Sequence, residues 1–227
     1  MLINLIFPKR CVGCGSSGNY FCTPCAKELK RSNQICPTCC KPSFDGVTHP
    51  KCRNKHSLNR LVSVWEYKGP LRKAFLAMKY RYAYDLGTEL ADLVANNLTV
   101  SKKFLDNTSF VLIPVPTHKK RKNVRGFNQT EIIGKRLSYQ MGWEYKDDVL
   151  KRVKNTTPQT GLSKKVRMRS QKGAFKVSEG KSILEKNKII LFDDIWTTGA
   201  TLREAAKVVK RKGTGNVSAL VVARTSS

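Results

Sequence analysis

Acidic residues are scarce in this chain. Its 227 residues carry 16 Asp and Glu against 43 Lys and Arg, a formal net charge of +27. That imbalance opposes compaction through self-repulsion unless anions bind, and it points to phosphate-rich partners, nucleic acid above all. Long apolar runs are missing too. Met1 to Phe7 is apolar but short, and Lys9 and Arg10 follow it instead of preceding it, so the order of a secretory signal is absent. No run reaches the ~18–20 residues of a membrane span. The expectation is a cytoplasmic protein.

Cysteine is not scarce. Eight are present, and in a reducing compartment they read as thiolate ligands in preference to disulfides. Cys11-x-x-Cys14 and Cys22-x-x-Cys25 are two closely spaced knuckles. Each lets two thiolates reach one ion through a tight turn, eased in the first by Gly13 and Gly15. Four thiolates in tetrahedral array suit a structural zinc with no open position for chemistry. A second set holds Cys36, Cys39 and Cys52. Its fourth ligand is open between His56, His49 and Cys40, because Lys55 stands where a second Cys-x-x-Cys would place its last cysteine. Metal binding would supply most of the folding energy of so small a segment. The expected organisation is a cysteine-rich zinc-binding module over 1–57 and an α/β domain over 58–227; 40% hydrophobic residues suffice for a packed core.

The stretch with the most chemistry is Ile189 to Leu202. An apolar run, Ile189-Ile190-Leu191-Phe192, is followed by Asp193-Asp194, then the small-residue turn Thr197-Thr198-Gly199-Ala200-Thr201, then an amphipathic helix from Leu202 to Lys212. A strand–loop–helix order of this kind offers backbone N–H groups at a helix N-terminus to a phosphate. The two carboxylates ahead of it suit sugar hydroxyls or a Mg²⁺ ion. No Gly-Lys-Ser/Thr follows Gly199 and no Gly-x-Gly-x-x-Gly opens the helix, so the stretch is neither a Walker loop nor a dinucleotide fingerprint.

The rest of the chain reads as repeating strand–helix units. Leu58 to Tyr67 is a strand, and Gly69-Pro70 opens a helix. Asp85 caps another with Leu86, Leu90, Leu93, Val94 and Leu98 at helical spacing. Tyr80, Tyr82 and Tyr84, interleaved with Arg81, either stack bases or pack on the core. Strands follow at Phe110–Ile113, 149–153, 173–177, 188–193 and 217–223, which argues for a parallel sheet flanked by helices. Two stretches without acid stand out. One runs from 117 to 126 with Lys119, Lys120, Arg121, Lys122 and Arg125. The other, 155–172, holds Lys164, Lys165, Arg167 and Arg169 and has the character of a lid. In a parallel sheet the first would share a crevice with Asp193 and Asp194. Both cationic stretches are the candidate contacts for a DNA strand. No separate base for an acceptor and no nucleobase pocket can be recognised.

The Asp-Asp-x-x-Thr-Thr-Gly-Ala-Thr segment resembles the phosphoribosyl pyrophosphate (PRPP) signature of type I phosphoribosyltransferases. The resemblance implies Asp193 and Asp194 as the catalytic pair on the ribose, and Thr197, Thr198, Gly199, Ala200 and Thr201 on the 5-phosphate. It also implies pyrophosphate with Mg²⁺ against Lys119, Lys120, Arg121 and Arg125. The whole pattern is more particular. The cysteine module, then Tyr67-Lys68-Gly69-Pro70-Leu71-Arg72, Met78-Lys79-Tyr80, Val115-Pro116 and Arg125-Gly126-Phe127-Asn128-Gln129, resembles the ComF/ComFC family of competence proteins. Lys55 and Ser170 depart from its pattern. The family implies a phosphoribosyltransferase-like fold behind a zinc module and a part in natural transformation. Its partners would be incoming single-stranded DNA, a PRPP-like ligand, a ComFA-type helicase and other uptake proteins, with the protein recruited to the membrane uptake machinery. An active phosphoribosyltransferase of nucleotide salvage is the alternative.

Overall fold

The computed structural model describes residues 8–78, 83–99, 110–117, 127–154, 170–178 and 188–225. A short helix, α1 (Thr23–Lys27), lies in the cysteine module. The main sheet is built from β1 (Leu61–Glu66), β2 (Phe110–Pro114), β3 (Glu144–Tyr145), β6 (Lys188–Trp196) and β7 (Val217–Arg224). Its order is β1-β7-β6-β2-β3 and every pairing is parallel. Helices α2 (Gly69–Ala77), α3 (Ala83–Thr99) and α4 (Gln129–Met141) connect the strands on one side, and α5 (Ala200–Lys210) joins β6 to β7 on the other. This is the parallel sheet flanked by helices that the strand–helix repeats predict.

The central strands are apolar on both faces, as a sheet covered on both sides requires. Ile190 and Phe192 of β6 pack with Leu71, Phe75, Leu90, Val94, Ile133 and Leu137 of α2, α3 and α4. Ile189 and Leu191 pack with Leu202, Ala205, Ala206 and Val209 of α5. These four helical positions recur at the spacing that puts them on one side of the helix. Helix α4 has an explicit start and stop. The Asn128 side chain accepts from the Thr130 N–H at 3.2 Å and donates to Glu131 at 3.1 Å, and Gly142 ends the helix at φ 65°. The Asn of the Phe-Asn-Gln motif is thus a helix cap, buried at 2% exposure.

Two local expectations are corrected. The strands around 149–153 and 173–177 do not join the parallel sheet. They appear as β4 (Leu150–Arg152) and β5 (Phe175–Val177), a separate antiparallel ribbon with Leu150 opposite Val177 and Arg152 opposite Phe175. Val149, Leu150 and Phe175 cover α5 from outside, and Glu204 accepts from the Gly173 N–H at 2.7 Å. The acidic pair and Trp196 are also part of β6, so the strand runs beyond Asp193.

The cysteine module lies along the outer edge of β1, where an open strand would otherwise present unpaired backbone groups. The Ser32 N–H donates to Val64 O at 3.1 Å and the Glu66 N–H to Lys30 O at 2.9 Å. The Gln34 side chain works as a piece of backbone: its amide nitrogen donates to Ser63 O at 2.8 Å and its oxygen accepts from the Ser63 N–H at 3.1 Å. On α3, Glu89 accepts from the N–H groups of Tyr20 and Phe21 at 3.1 and 2.6 Å, which pins the first knuckle to the helix layer.

Candidate functional site

Strand β6 delivers Asp193 and Asp194 to the carboxyl end of the sheet, the end at which open α/β sheets take ligands. Strand alternation sends them to opposite sides. Asp193 follows Ile189 and Leu191 on the α5 side, and Asp194 follows Ile190 and Phe192 on the other. Each is held locally, for the Asp193 carboxylate accepts from the Asp194 N–H at 3.0 Å and that of Asp194 from the Ile195 N–H at 2.7 Å. Asp193 is half-buried. Desolvation, then the neighbouring Asp194 charge, raise its pKa well above the usual carboxylate range, with Arg152 offsetting part of the rise. Asp194 adds to the raised pKa of the Tyr67 hydroxyl, which is mainly an effect of burial.

The turn that follows is built around Gly199. Its φ is 74°, and a Cβ there would stand 2.1 Å from Cζ2 of Trp196. Only glycine fits both the left-handed backbone and the close ring. The Thr198 hydroxyl accepts from the Ala200 N–H at 3.4 Å, and α5 begins at Ala200 with its first N–H groups lacking earlier helical carbonyls. Thr197 is exposed, and Thr198 and Thr201 are half-buried. The expected order of carboxylates, turn and helix N-terminus is therefore present at one place.

Strand β2 runs parallel to β6 and ends beside it: the Val115 N–H donates to Phe192 O at 2.8 Å. The cationic candidates Lys119, Lys120, Arg121, Lys122 and Arg125, and Lys164, Lys165, Arg167 and Arg169, lie outside the described residues, as do Tyr80, Arg81 and Tyr82. Tyr84, the third of those tyrosines, is exposed at 69% and does not pack in the core. Sequence reasoning missed Trp196 and Arg203. Arg203, on the first turns of α5, donates to Pro37 O at 2.6 Å and to the Cys40 thiol at 3.2 Å. A tryptophan directly before Thr-Thr-Gly was the available signal for the first; the second is set by a contact across the fold.

In the module, Cys11, Cys14, Cys22 and Cys25 place their sulfurs within 4.8 Å of one another. Those of Cys14 and Cys22 are 3.6 Å apart. Tetrahedral zinc needs sulfurs about 3.8 Å apart, so the donor set fits. The thiols do not ionise alike. At Cys11, desolvation is outweighed by backbone donors and the pKa falls to about 6, whereas contact with Cys22, together with burial, pushes Cys25 up to about 12. Four crowded sulfurs resist shared negative charge, and a bound dication relieves that. Gly13 makes room here: a Cβ on it would meet the Cys25 sulfur at 2.5 Å.

The second cluster is Cys36, Cys39, His49 and Cys52, again with all donor atoms within 4.8 Å. His49 supplies the fourth ligand position and His56 does not. A tight turn over Pro50–Cys52, closed by the Cys52 N–H on His49 O at 2.8 Å, brings His49 and Cys52 together. The His49 Nε2 faces the Pro42 carbonyl at 3.1 Å, which as an acceptor assigns the proton to Nε2 and leaves Nδ1 for the cluster, 3.5 Å from the Cys39 sulfur. His56 is carried off by the next turn, in which the Ser57 N–H donates to Asn54 O at 3.1 Å. Cys40 instead faces Arg203.

A comparison with known families agrees with the layout of the module. Residues 2–54 match the model of the double zinc ribbon domain. Competence protein F of Haemophilus influenzae is 29% identical over 219 residues, covering 94% of this chain and 90% of its own. DNA utilization protein YhgH of Salmonella typhimurium is 28% identical, with 90% of each chain covered. Competence protein ComFC of Bacillus subtilis is 29% identical over 90% of this chain and 84% of its own. A hypoxanthine phosphoribosyltransferase structure from Staphylococcus aureus overlaps 60% of this chain and 61% of its own, at 13% identity and a TM-score of 0.36. Among the described residues no helix is long and apolar enough to cross a membrane. Over about 90% of its length this chain is a relative of the ComF/ComFC competence proteins, with a double zinc ribbon set against the edge of a parallel, helix-flanked sheet.

Proposed function

We propose that the chain handles single-stranded DNA during DNA uptake and binds a PRPP-like sugar phosphate at the turn between β6 and α5. Curated relatives carry competence and DNA utilization names, which supports the first half. The second half rests on one observation: two carboxylates near the end of β6 are followed by a glycine turn and a helix N-terminus. In this reading Asp193 and Asp194 take ribose hydroxyls from either side of the strand end. Thr197, Thr198, Gly199, Ala200 and Thr201 surround the 5-phosphate with hydroxyls and N–H groups. Mg²⁺ arrives with the pyrophosphate, and Lys119, Lys120, Arg121 and Arg125 balance its charge. Lys122, Lys164, Lys165, Arg167 and Arg169 are the proposed cationic contacts of a DNA strand, which a ComFA-type helicase partner would deliver. Zinc in the two clusters of the module has a structural role, since both sets supply four protein ligands.

The reading is tested by titrating the zinc-loaded chain with single-stranded oligonucleotide at several salt concentrations. Binding should weaken with a log–log slope of roughly −0.7 per phosphate neutralised. No binding at low salt, or a slope near zero, contradicts it.

A further inference from the structure

The end of the sheet opposite Asp193 carries its own concentration of positive charge. Strand β6 is about 17 Å long from Lys188 to Asp193 at ~3.3 Å per residue, so the two ends are well separated. Where β1, β2, β6 and β7 begin, a cavity of about 360 Å³ opens between the sheet and the segment after the second cysteine cluster. Arg53 of the module lines it, as do Arg60, just before β1, and Lys188 and Lys210 of the domain, and no carboxylate is among the described residues lining it. Asn216 and Phe110 complete its wall, with the Lys188 ammonium 5.9 Å from the Phe110 ring centroid. The Lys210 ammonium is half-buried and donates to the Asn59 side-chain oxygen Oδ1 at 2.8 Å.

Such a gathering is unfavourable by itself. Cations drawn together repel, Lys210 is partly desolvated besides, and the arrangement gains most when an anion bridges them. His56 lies beside the cavity and outside its lining, and its Nδ1 is buried with no hydrogen-bond partner. Desolvation, then the fields of Lys55, Arg211, Lys207 and Lys210, lower the pKa of its ring, and burial lowers that of Lys210. Charge of one sign thus surrounds this end from the module and from α5 alike, although neither group of cations stands out in the sequence.

We infer that the cavity lined by Arg53, Arg60, Lys188 and Lys210 is a phosphate site, separate from the Asp193 end of the sheet. Guanidinium forks and ammonium groups are the side chains that bind phosphate oxygens. Two sources have that chemistry: a phosphodiester of a bound DNA strand, or a small phosphorylated molecule. The proposal does not depend on the PRPP reading.

The experiment uses the full zinc-loaded chain. Inorganic phosphate is titrated while backbone amides and the His56 ring are followed by NMR. Saturable shifts are expected at Lys188, Asn216 and Ser218 and at the His56 ring. In Arg53→Gln/Lys188→Gln binding should weaken about tenfold, the scale of one charge-assisted hydrogen bond. In Lys151→Gln/Lys176→Gln, which removes two exposed charges from the β4–β5 ribbon, it should not change. The same proteins are then titrated with oligothymidylate. A salt slope reduced by about 1 in the cavity variant alone assigns the site to a DNA strand; an unchanged slope with lost phosphate shifts assigns it to a small phosphorylated molecule. Absence of saturable shifts at the cavity in the wild-type chain overturns the proposal, as does equal weakening in both variants. If oligothymidylate fails to bind the wild-type chain while the phosphate shifts remain, the DNA reading falls and the site stands.

Discussion

The Arg203 guanidinium lies over the Trp196 ring, 5.4 Å from its centroid, while its Nε donates to the Pro37 carbonyl at 2.6 Å. One side chain therefore ties the second cysteine cluster to the ring on which the Gly199 turn rests. Arg203→Ala should lower the unfolding free energy by about 2 kcal/mol, measured by urea denaturation, since it removes charge-assisted hydrogen bonds and a cation–π contact. Arg203→Lys should recover little, because an ammonium cannot stack and reach Pro37 at once. A full recovery by Lys would show that charge alone matters there.

Gly199→Ala tests the turn without touching a charge. The added methyl group falls on Trp196 and the backbone is held at a positive φ, so strain of about 1–3 kcal/mol is expected. The sheet should survive, judged by circular dichroism, while affinity for PRPP with Mg²⁺ drops at least about tenfold. Undiminished affinity would place the phosphate elsewhere.

For the module, metal analysis of freshly purified protein should give about two zinc ions per chain, consistent with two four-ligand clusters. His49→Ala should lose one of them and His56→Ala neither. Loss of a zinc on changing His56 would reverse the ligand assignment made from the geometry.

Asp193 should show a trade between stability and binding. Its pKa in the fold lies above that of an unfolded aspartate, so the folded state holds the proton more tightly. Ionisation therefore opposes folding. The penalty is fully present above the folded pKa and is relieved as pH falls through it. Asp193→Asn should raise the melting temperature at neutral pH and flatten its dependence on mild acidification, while abolishing PRPP binding. A lower melting temperature at neutral pH would mean that the carboxylate is stabilised by partners.

The order of elements in the candidate site near the end of β6 was legible because its parts are consecutive: apolar strand, two acids, a turn with one glycine, an amphipathic helix. Local order in the chain carries that kind of information. The first cysteine cluster was legible for the same reason. The second was legible only as a set of candidates, because the choice between His49 and His56 depends on the turn at Pro50 and on where the Asn54–Ser57 turn directs the chain. The pairing of β4 with β5 spans residues 153–174, and no periodicity inside either strand reveals the partner's direction. Gln34 completing the edge of β1, Glu89 holding the backbone at Tyr20 and Phe21, and Arg203 crossing to Pro37 are contacts between distant parts of the chain. Side chains of that type carry no mark in a single sequence.

The most direct measurement is calorimetric titration of the zinc-loaded chain with PRPP and Mg²⁺, set beside the Asp193→Asn/Asp194→Asn double variant. The wild-type chain should bind with a saturable isotherm near one equivalent, and the variant should give no measurable heat of binding with its fold intact. Equal affinity in the two proteins would contradict a sugar-phosphate site at the end of β6.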